Sequence, residues 1–238
     1  MCPHGDLFAC ASVTQAVQNN HKACLRMLMQ TFKEVKYGED DACTIHSAVR
    51  DSIKRNHLQC LSILLAANTP GVWGYMGSVH MPLQIAILYG SDAAVEIVWA
   101  ATDDLNTMGF SGTILHTNDV RLIKWIPRLV AAGADVESHS MYGETPLVKC
   151  VTNSDWTRPT RVHALVKAFL REGASLHATN SQGQTPVQIA RARDLPVCES
   201  TLRDEARWRR RRALALVREQ RRAARDHGGR RRRVHGGA

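Results

Sequence analysis

The sequence predicts an all-α solenoid of about six helix-turn-helix repeats with short hairpin loops, followed by a basic C-terminal tail that is part helical and part disordered. Three observations predict this fold class. Short motifs recur at intervals close to one helical repeat, aromatic residues make up only 5% of the 238 residues, and arginine is concentrated at one end. Because thin helical layers pack through small and aliphatic side chains, a low aromatic content suits stacked repeats better than one deep core.

Three pairs of segments reveal the internal repeat. The pairs are Gly143–Leu147 (GETPL) with Gly183–Val187 (GQTPV), Ala132–Val136 (AGADV) with Glu172–Leu176 (EGASL), and Asn20–Leu28 (NHKACLRML) with Asn56–Leu64 (NHLQCLSIL). Self-similarity at a fixed spacing is typical of repeat architectures, in which neighbouring units bury one another's apolar faces.

One apolar position recurs in register along the chain, at Val13, Ile45, Leu83, Leu115, Leu147 and Val187. The intervals between these anchors are 32, 38, 32, 32 and 40 residues. The anchors and motifs resemble the ankyrin repeat, whose pattern runs G-x-T-P-L-H-x-A, then G-H, then V-x-x-L-L-x-x-G-A-D and repeats about every 33 residues. The resemblance predicts an ankyrin-repeat domain over 6–206, with approximate repeats 6–38, 39–76, 77–106, 107–139, 140–179 and 180–206, and a separate arginine-rich tail over 207–238.

Local chemistry supports the helical reading of each repeat. Thr145–Pro146 and Thr185–Pro186 are typical helix starts, because the hydroxyl can cap the helix and proline suits its first turn. Gly133 and Gly173 follow second helices, where a left-handed residue is favoured. Residues that tolerate unusual φ values stand between the paired helices. These are Asn20, Asn56, Gly90 and Asp194.

Three repeats depart from the pattern. The eight residues from Ala48 to Asn56, where repeats one and three have four, predict one additional turn in the first helix of repeat two. Repeat five carries about seven extra residues over 153–160. Repeat four matches worst, because Asn118–Asp119 replaces small residues and Pro127 is expected to interrupt its second helix.

The net charge of +9 belongs to the tail. Residues 207–238 hold 13 arginines and only two acidic residues, whereas residues 1–206 hold 18 basic and 20 acidic residues. Helix-forming residues continue to about Arg225, and the remainder is expected to be disordered. Three uses of the tail stay open: a nuclear-import signal, phosphate binding to DNA or RNA, and a passive solvated end cap. Its candidate residues are Arg207, Arg209, Arg210, Arg211, Arg212, Arg221, Arg222, Arg225, Arg230, Arg231, Arg232 and Arg233.

No motif for catalysis or for a cofactor is present, so we expect neither an enzyme nor a small-molecule substrate. The group Cys2, His4, Cys10, His21 and Cys24 invites a zinc assignment, but His21 and Cys24 recur as His57 and Cys60 in the repeat and are better explained as packing positions. His46 and His116 match the histidine of T-P-L-H, a structural hydrogen-bonding position by resemblance. The sequence therefore predicts no metal site.

The resemblance implies that another protein binds at the hairpin tips and on the concave face. Candidate tip residues are Glu137, His139, Met141, Tyr142, His177, Asn180 and Gln182. Aromatic and methionine residues in loops add Trp73, Tyr75, Met76 and Trp156 as candidate anchors; the alternative is that each ring folds back over an adjacent helix. Trp99 and Trp125 are expected to pack within second helices.

The predicted function is therefore non-enzymatic protein binding, as an adaptor, inhibitor or effector. Alternatives are a nucleic-acid-associated protein and a structural subunit of a larger assembly. With no leader peptide or long apolar segment evident, we expect a cytoplasmic or nuclear protein that is neither secreted nor bound to a membrane.

Overall fold

The computed structural model describes residues 6–34, 39–67, 82–109, 112–153 and 159–234. Side chains are described for 11–30, 45–67, 82–109, 112–153 and 159–222. Within the described residues the chain forms eleven α-helices and no β-strand. They are α1 (Asp6–Gln18), α2 (Lys22–Glu34), α3 (Glu39–Lys54), α4 (Leu58–Ala66), α5 (Pro82–Tyr89), α6 (Asp92–Ala100), α7 (Ile126–Ala131), α8 (Pro146–Thr152), α9 (Pro159–Arg171), α10 (Pro186–Ala192) and α11 (Pro196–Val234).

The helices pair and stack as a solenoid, which confirms the predicted fold class. The first helices pack in one layer, with α3 between α1 and α5, and the second helices pack in another, with α4 between α2 and α6. The recurring apolar anchors explain this stacking. Five of the six are buried, from Val13 to Leu147, and Val187 in the last repeat is half-buried. Each repeat therefore covers the apolar face of its neighbour.

The turns between paired helices use two different devices. Asn20, Asn56 and Asp194 have φ values of 55°, 59° and 51°, as their residue types predict. Gly90 differs, because it is not among the residues with positive φ. A Cβ at Gly90 would lie 2.8 Å from the Ala86 carbonyl oxygen and 3.0 Å from a methyl group of Ile53. Glycine is needed there for close packing of repeats two and three.

Repeat two contains the predicted additional turn. α3 ends at Lys54, six residues after Ala48, whereas α1 ends at Gln18, two residues after Ala16. The hydrogen bond from the Ser91 hydroxyl to Asn56 Oδ1 (2.6 Å) keeps the turn of repeat two in register with α6.

Repeat four is shortened, and the expected role of Pro127 is wrong in detail. The first helix is reduced to a 3₁₀ turn, Ile114–His116, and the second begins with another, Val120–Leu122. Pro127 stands in the first turn of α7 and does not interrupt that helix. Since this position leaves no backbone donor unsatisfied, proline is compatible with the helix start.

The last helix extends further than the sequence predicted. α11 runs without a break through the boundary at Arg207 and on to Val234, whereas the sequence predicted disorder after Arg225. Its start is fixed because Cys198 and Leu202 are buried against the preceding repeats. Once such a helix is nucleated, arginine propagates it well, and Gly228–Gly229 costs only about 1 kcal/mol per residue.

Candidate interaction surfaces

Met141 and Tyr142 form an exposed pair at the tip of the loop between α7 and α8. Their side chains are 58% and 59% exposed. The turn below them is closed by hydrogen bonds, since the Gly143 N–H donates to the Ser140 carbonyl (2.9 Å) and the Ser140 N–H donates to the Glu144 carbonyl (2.9 Å). Gly143 has a φ of 72°, which few other residues adopt. The backbone thus holds two apolar side chains in solvent on an ordered loop.

The loop between α9 and α10 repeats this geometry. Asn180 Oδ1 accepts hydrogen bonds from the Gln182 and Gln184 N–H groups, at 3.0 and 2.9 Å. Asn180 therefore shapes the loop, while His177 and Gln182 are exposed. A partner would reach the last two directly and Asn180 only in part.

Glu137 and His139 have different environments although both were candidate tip residues. Glu137 is half-buried, and its Oε1 accepts a hydrogen bond from the Ser175 N–H (2.7 Å) in the next loop. This bond fixes one hairpin relative to the other. His139 is exposed. The structure thus brings Met141, Tyr142 and His139 together on one tip, and assigns Glu137 a role in spacing the tips.

Four of the candidate anchors, Trp73, Tyr75, Met76 and Trp156, lie outside the described residues. The other two tryptophans predicted to pack are in contact with the core. Trp125 is buried at the start of α7, and the rings of Trp99 and Trp125 are 6.4 Å apart.

His116 is held at both ring nitrogens, which explains why this position matches T-P-L-H. The Thr113 N–H donates to Nδ1 (3.0 Å), and Nε2 lies 2.9 Å from the Glu144 carbonyl oxygen of the next repeat. Because Nδ1 accepts a bond from an amide, the ring is neutral and Nε2–H donates. Burial lowers the pKa of His116 below its usual value, which is consistent with a neutral ring. These bonds indicate a structural role in joining repeats.

The tail arginines divide into two groups. Arg209 is half-buried, and its guanidinium donates to the carbonyl oxygens of Ala174 (2.8 Å) and Leu170 (3.1 Å) and to Glu205 Oε1 (2.8 Å). Arg209 thus caps the C-terminal end of α9. Five candidates, Arg210, Arg211, Arg212, Arg221 and Arg222, are exposed. Arg207 is also exposed and lies 3.5 Å from Asp204. Arg225 and Arg230–Arg233 lie on α11, beyond the residues whose side chains are described.

No family model and no curated protein matches this sequence. Solved structures do match the fold. An ankyrin repeat domain from Acinetobacter baumannii AYE superposes with a TM-score of 0.59 and 18% identity, covering 82% of this chain and 97% of that one. The ankyrin repeat protein EF0377 gives 0.57 and 15%, covering 80% and 96%. This chain has the ankyrin-repeat fold.

The ankyrin-repeat solenoid also contains a charged and aromatic cluster that the sequence did not reveal. Arg128 of repeat four binds Glu96 of repeat three and lies over the Trp99 ring at 4.3 Å. Lys124 binds Asp92 across the same boundary and lies 4.9 Å from the centre of the Trp125 ring. The cluster ties the shortened repeat four to repeat three. Each cation and its carboxylate partner are 32 residues apart, about one repeat length. That spacing is the signal in the sequence that could have suggested the cluster.

A second group in the ankyrin-repeat solenoid, around Tyr89, is half exposed. The Lys54 amine and the Arg121 guanidinium lie 4.8 and 5.1 Å from its ring centre, so three successive repeats meet at this side chain. Arg121 also binds Asp119 (2.8 Å) and the Leu88 carbonyl. The guanidinium lowers the pKa of Asp119.

Neither metal-binding clusters nor bilayer-spanning helices occur in the described part of the ankyrin-repeat chain. No three His, Cys, Asp or Glu residues there come together as ligands. No helix there is long and apolar enough to cross a membrane. Cys2 and His4 are outside this part, and the side chain of Cys10 is not described. Cys24 is an exposed free thiol and Cys60 is buried. The pKa of Cys60 is raised by burial.

Proposed function

We propose that this chain is a non-enzymatic protein-binding module that recognises its partner through the hairpin tips. The observation that carries the proposal is the exposed Met141–Tyr142 pair on a hydrogen-bonded loop. Burying two large side chains from a loop that is already ordered gains apolar contact area at little entropic cost. Tyrosine is among the residue types enriched at the few positions that dominate binding energy in interfaces.

Residues on the adjacent tip extend this surface. His177 and Gln182 are exposed on a loop of the same geometry, and the bond from Ser175 to Glu137 holds the two tips together. The proposal assigns no catalytic step, cofactor or small-molecule substrate. An adaptor, an inhibitor and an effector would all use this surface, in the cytoplasm or the nucleus.

The double variant M141S/Y142S tests the proposal. Proteins captured by the wild-type chain would be identified by mass spectrometry, and the direct partner then purified for titration calorimetry. We expect the double variant to bind that partner about tenfold more weakly or worse, because tip anchors of this kind dominate interfaces. M27S is the matched control, since Met27 is 61% exposed on α2, away from the tips. Equal affinity of the wild type and the double variant would refute the tip assignment.

A second candidate function, polyanion binding by the tail, is favoured by the exposed arginines of α11. Arg210, Arg211 and Arg212 are exposed beside one another, and Arg218, Arg221 and Arg222 continue the charge. Arginine clusters bind phosphates without base specificity. The same cluster suits the acidic groove of an import receptor. Glutamine substitution of these six residues should abolish binding to heparin and nucleic acid if the tail contacts phosphates. Loss of nuclear accumulation alone would indicate an import signal.

A further inference from the structure

The packing of α11 on α9 creates a cleft around Trp208 that neither helix contains alone. The Trp208 side chain is 52% exposed. On one side it adjoins a recess of about 430 Å³ lined by Lys167, Leu170 and Arg171 of α9. It also adjoins a second recess, of about 410 Å³, that shares Leu170 and Arg171 with the first and reaches Arg212, Ala213 and Leu216 of α11. The indole therefore stands in an apolar trough between two basic rims. We call this trough the junction cleft.

The charges of the junction cleft do not cancel. Glu205 is its acidic residue, and Arg209 already binds that carboxylate at 2.8 Å. Arg209 also donates from Nη1 and Nη2 to the carbonyl oxygens of Ala174 and Leu170. Among the described residues, no carboxylate lies within ion-pair distance of Lys167, Arg171 or Arg212. Three cations thus line the recesses beside one aromatic ring, and none of them has an ion-pair partner among the residues whose side chains are described.

We propose that the junction cleft binds single-stranded nucleic acid, with one base stacked on Trp208 and the flanking phosphates on Lys167, Arg171 and Arg212. This inference rests on the second candidate function, because the same strand would continue along the arginines of α11. The combination of a basic groove with an exposed ring is how proteins bind single strands without sequence preference.

Two features favour a single strand over other anions. A duplex keeps its bases stacked inside, so it would meet the cations but not the ring. A polyanion without bases, such as heparin, would likewise gain nothing from Trp208. The guanidinium of Arg212, one helical turn further along α11, lies over one face of the Trp208 ring, 5.2 Å from its centre, so the base would stack on the other face. A phosphate bound there would follow directly from a base on the indole.

Binding of the full-length chain to a labelled oligonucleotide of about 12 nucleotides, measured by fluorescence anisotropy, tests the inference. We expect W208L to weaken single-strand binding about fivefold or more and to leave heparin binding unchanged, since only the stacked base is lost. W208F should retain most of the affinity because phenylalanine also stacks. Circular dichroism would confirm that each variant is folded.

The α9 cations separate this site from a tail that binds by charge alone. K167Q and R171Q should each weaken single-strand binding and reduce the slope of log affinity against log salt by about 0.7, the contribution of one phosphate contact. R161Q is the matched control, because Arg161 is exposed at the opposite end of the same helix. W208L should lower affinity without changing that slope.

Each failure has a distinct meaning. If the chain binds oligonucleotides and heparin but W208L, K167Q and R171Q match the wild type, the junction cleft is not the site and tail binding stands. If the chain binds no polyanion at about 150 mM salt, both ideas fail. Tighter binding to a poly-glutamate peptide or to phosphatidylserine vesicles than to the oligonucleotide would overturn the inference in favour of those partners.

Discussion

His116 joins repeats four and five through one side chain. It is 2% exposed, it accepts from the Thr113 N–H, and it donates to the Glu144 carbonyl. We expect H116A to lower the free energy of unfolding by about 2–4 kcal/mol, because it leaves two buried backbone groups unpaired and opens a cavity. Urea unfolding measures this difference. The exposed His139 supplies the control, and H139A should change stability by no more than about 0.5 kcal/mol.

The protonation of His116 makes stability depend on pH. Burial holds its folded pKa below the usual 6.5, so the unfolded chain takes up a proton that the folded chain resists. The stabilisation that the buried neutral ring contributes is complete above about pH 6.5. It is lost as the pH falls through the folded pKa. We expect H116Q to flatten this decline. Gln188 shows that glutamine suits the position, since its Oε1 accepts from the Thr185 N–H at the equivalent cap (2.8 Å).

Thermal unfolding midpoints between about pH 7.5 and about pH 5 measure the effect. The loss of stability over this range should be smaller in H116Q than in the wild type. An identical pH dependence in both proteins would show that His116 does not contribute.

At the scale of one element, α11 belongs to both the repeats and the tail. Arg209 lies past the expected domain boundary, yet it caps α9 through the carbonyls of Leu170 and Ala174. Positive charge at a helix C-terminus and charge-assisted bonds to its last carbonyls both stabilise the helix. We therefore propose that the folded domain extends to about Arg212.

Truncation tests this boundary. A chain ending at residue 212 should unfold within about 0.5 kcal/mol of the full chain, whereas one ending at residue 206 should lose about 1–3 kcal/mol. R209Q in the full chain should reproduce most of that loss, and R210Q should not, because Arg210 is exposed. The boundary would return to residue 206 if both truncated chains proved equally stable in urea.

At the scale of the whole molecule, we expect repeat four to be a weak joint of the solenoid. Two 3₁₀ turns and a six-residue helix replace two full helices, and cross-repeat ion pairs such as Arg128–Glu96 supply part of the contact. Because a solenoid is held by nearest-neighbour interfaces, local opening should begin at such a joint.

Hydrogen exchange followed by mass spectrometry can locate the first opening. Amides in 112–125, where the helical elements are two 3₁₀ turns with poorer hydrogen-bond geometry, should exchange faster than those of the α-helices α8 and α9. Raising the salt concentration should widen this difference, because the ion pairs are exposed and screened. Uniform protection from residue 82 to residue 171 would show that repeat four opens only with the whole molecule.

The sequence predicted the solenoid well because its period marks the buried positions. Leu83, Leu115 and Leu147 are buried as their spacing required, and Asn20, Asn56 and Asp194 take the left-handed backbone that their types allow. A match to the repeat motif does not reveal which physical role a residue has. Gly90 fits the turn pattern but serves close packing, and Pro127 starts a helix that it was expected to interrupt.

The interaction surfaces were harder to predict from the sequence than the fold. Arg209 stands among five similar arginines, and only the phase of α11 against α9 decides that this one faces the fold. Lys167 and Arg171 belong to repeat five and Trp208 to the tail, so their proximity appears only when the helices pack. The exposed Met141–Tyr142 tip was predicted, because the hairpin motif itself places those residues in solvent.

Because α11 runs unbroken across the domain boundary, the C-terminal segment acts as a helical spacer of fixed length. A helix rises about 1.5 Å per residue, so Arg222 stands about 20 Å along the axis from Arg209, which is fastened to the last repeat. A ligand bound by these arginines would therefore be held at a fixed distance and direction from a partner bound at the hairpin tips. Inserting two or three residues after Arg212 would rotate the following arginines about the helix axis by a large fraction of a turn. It would remove none of their side chains.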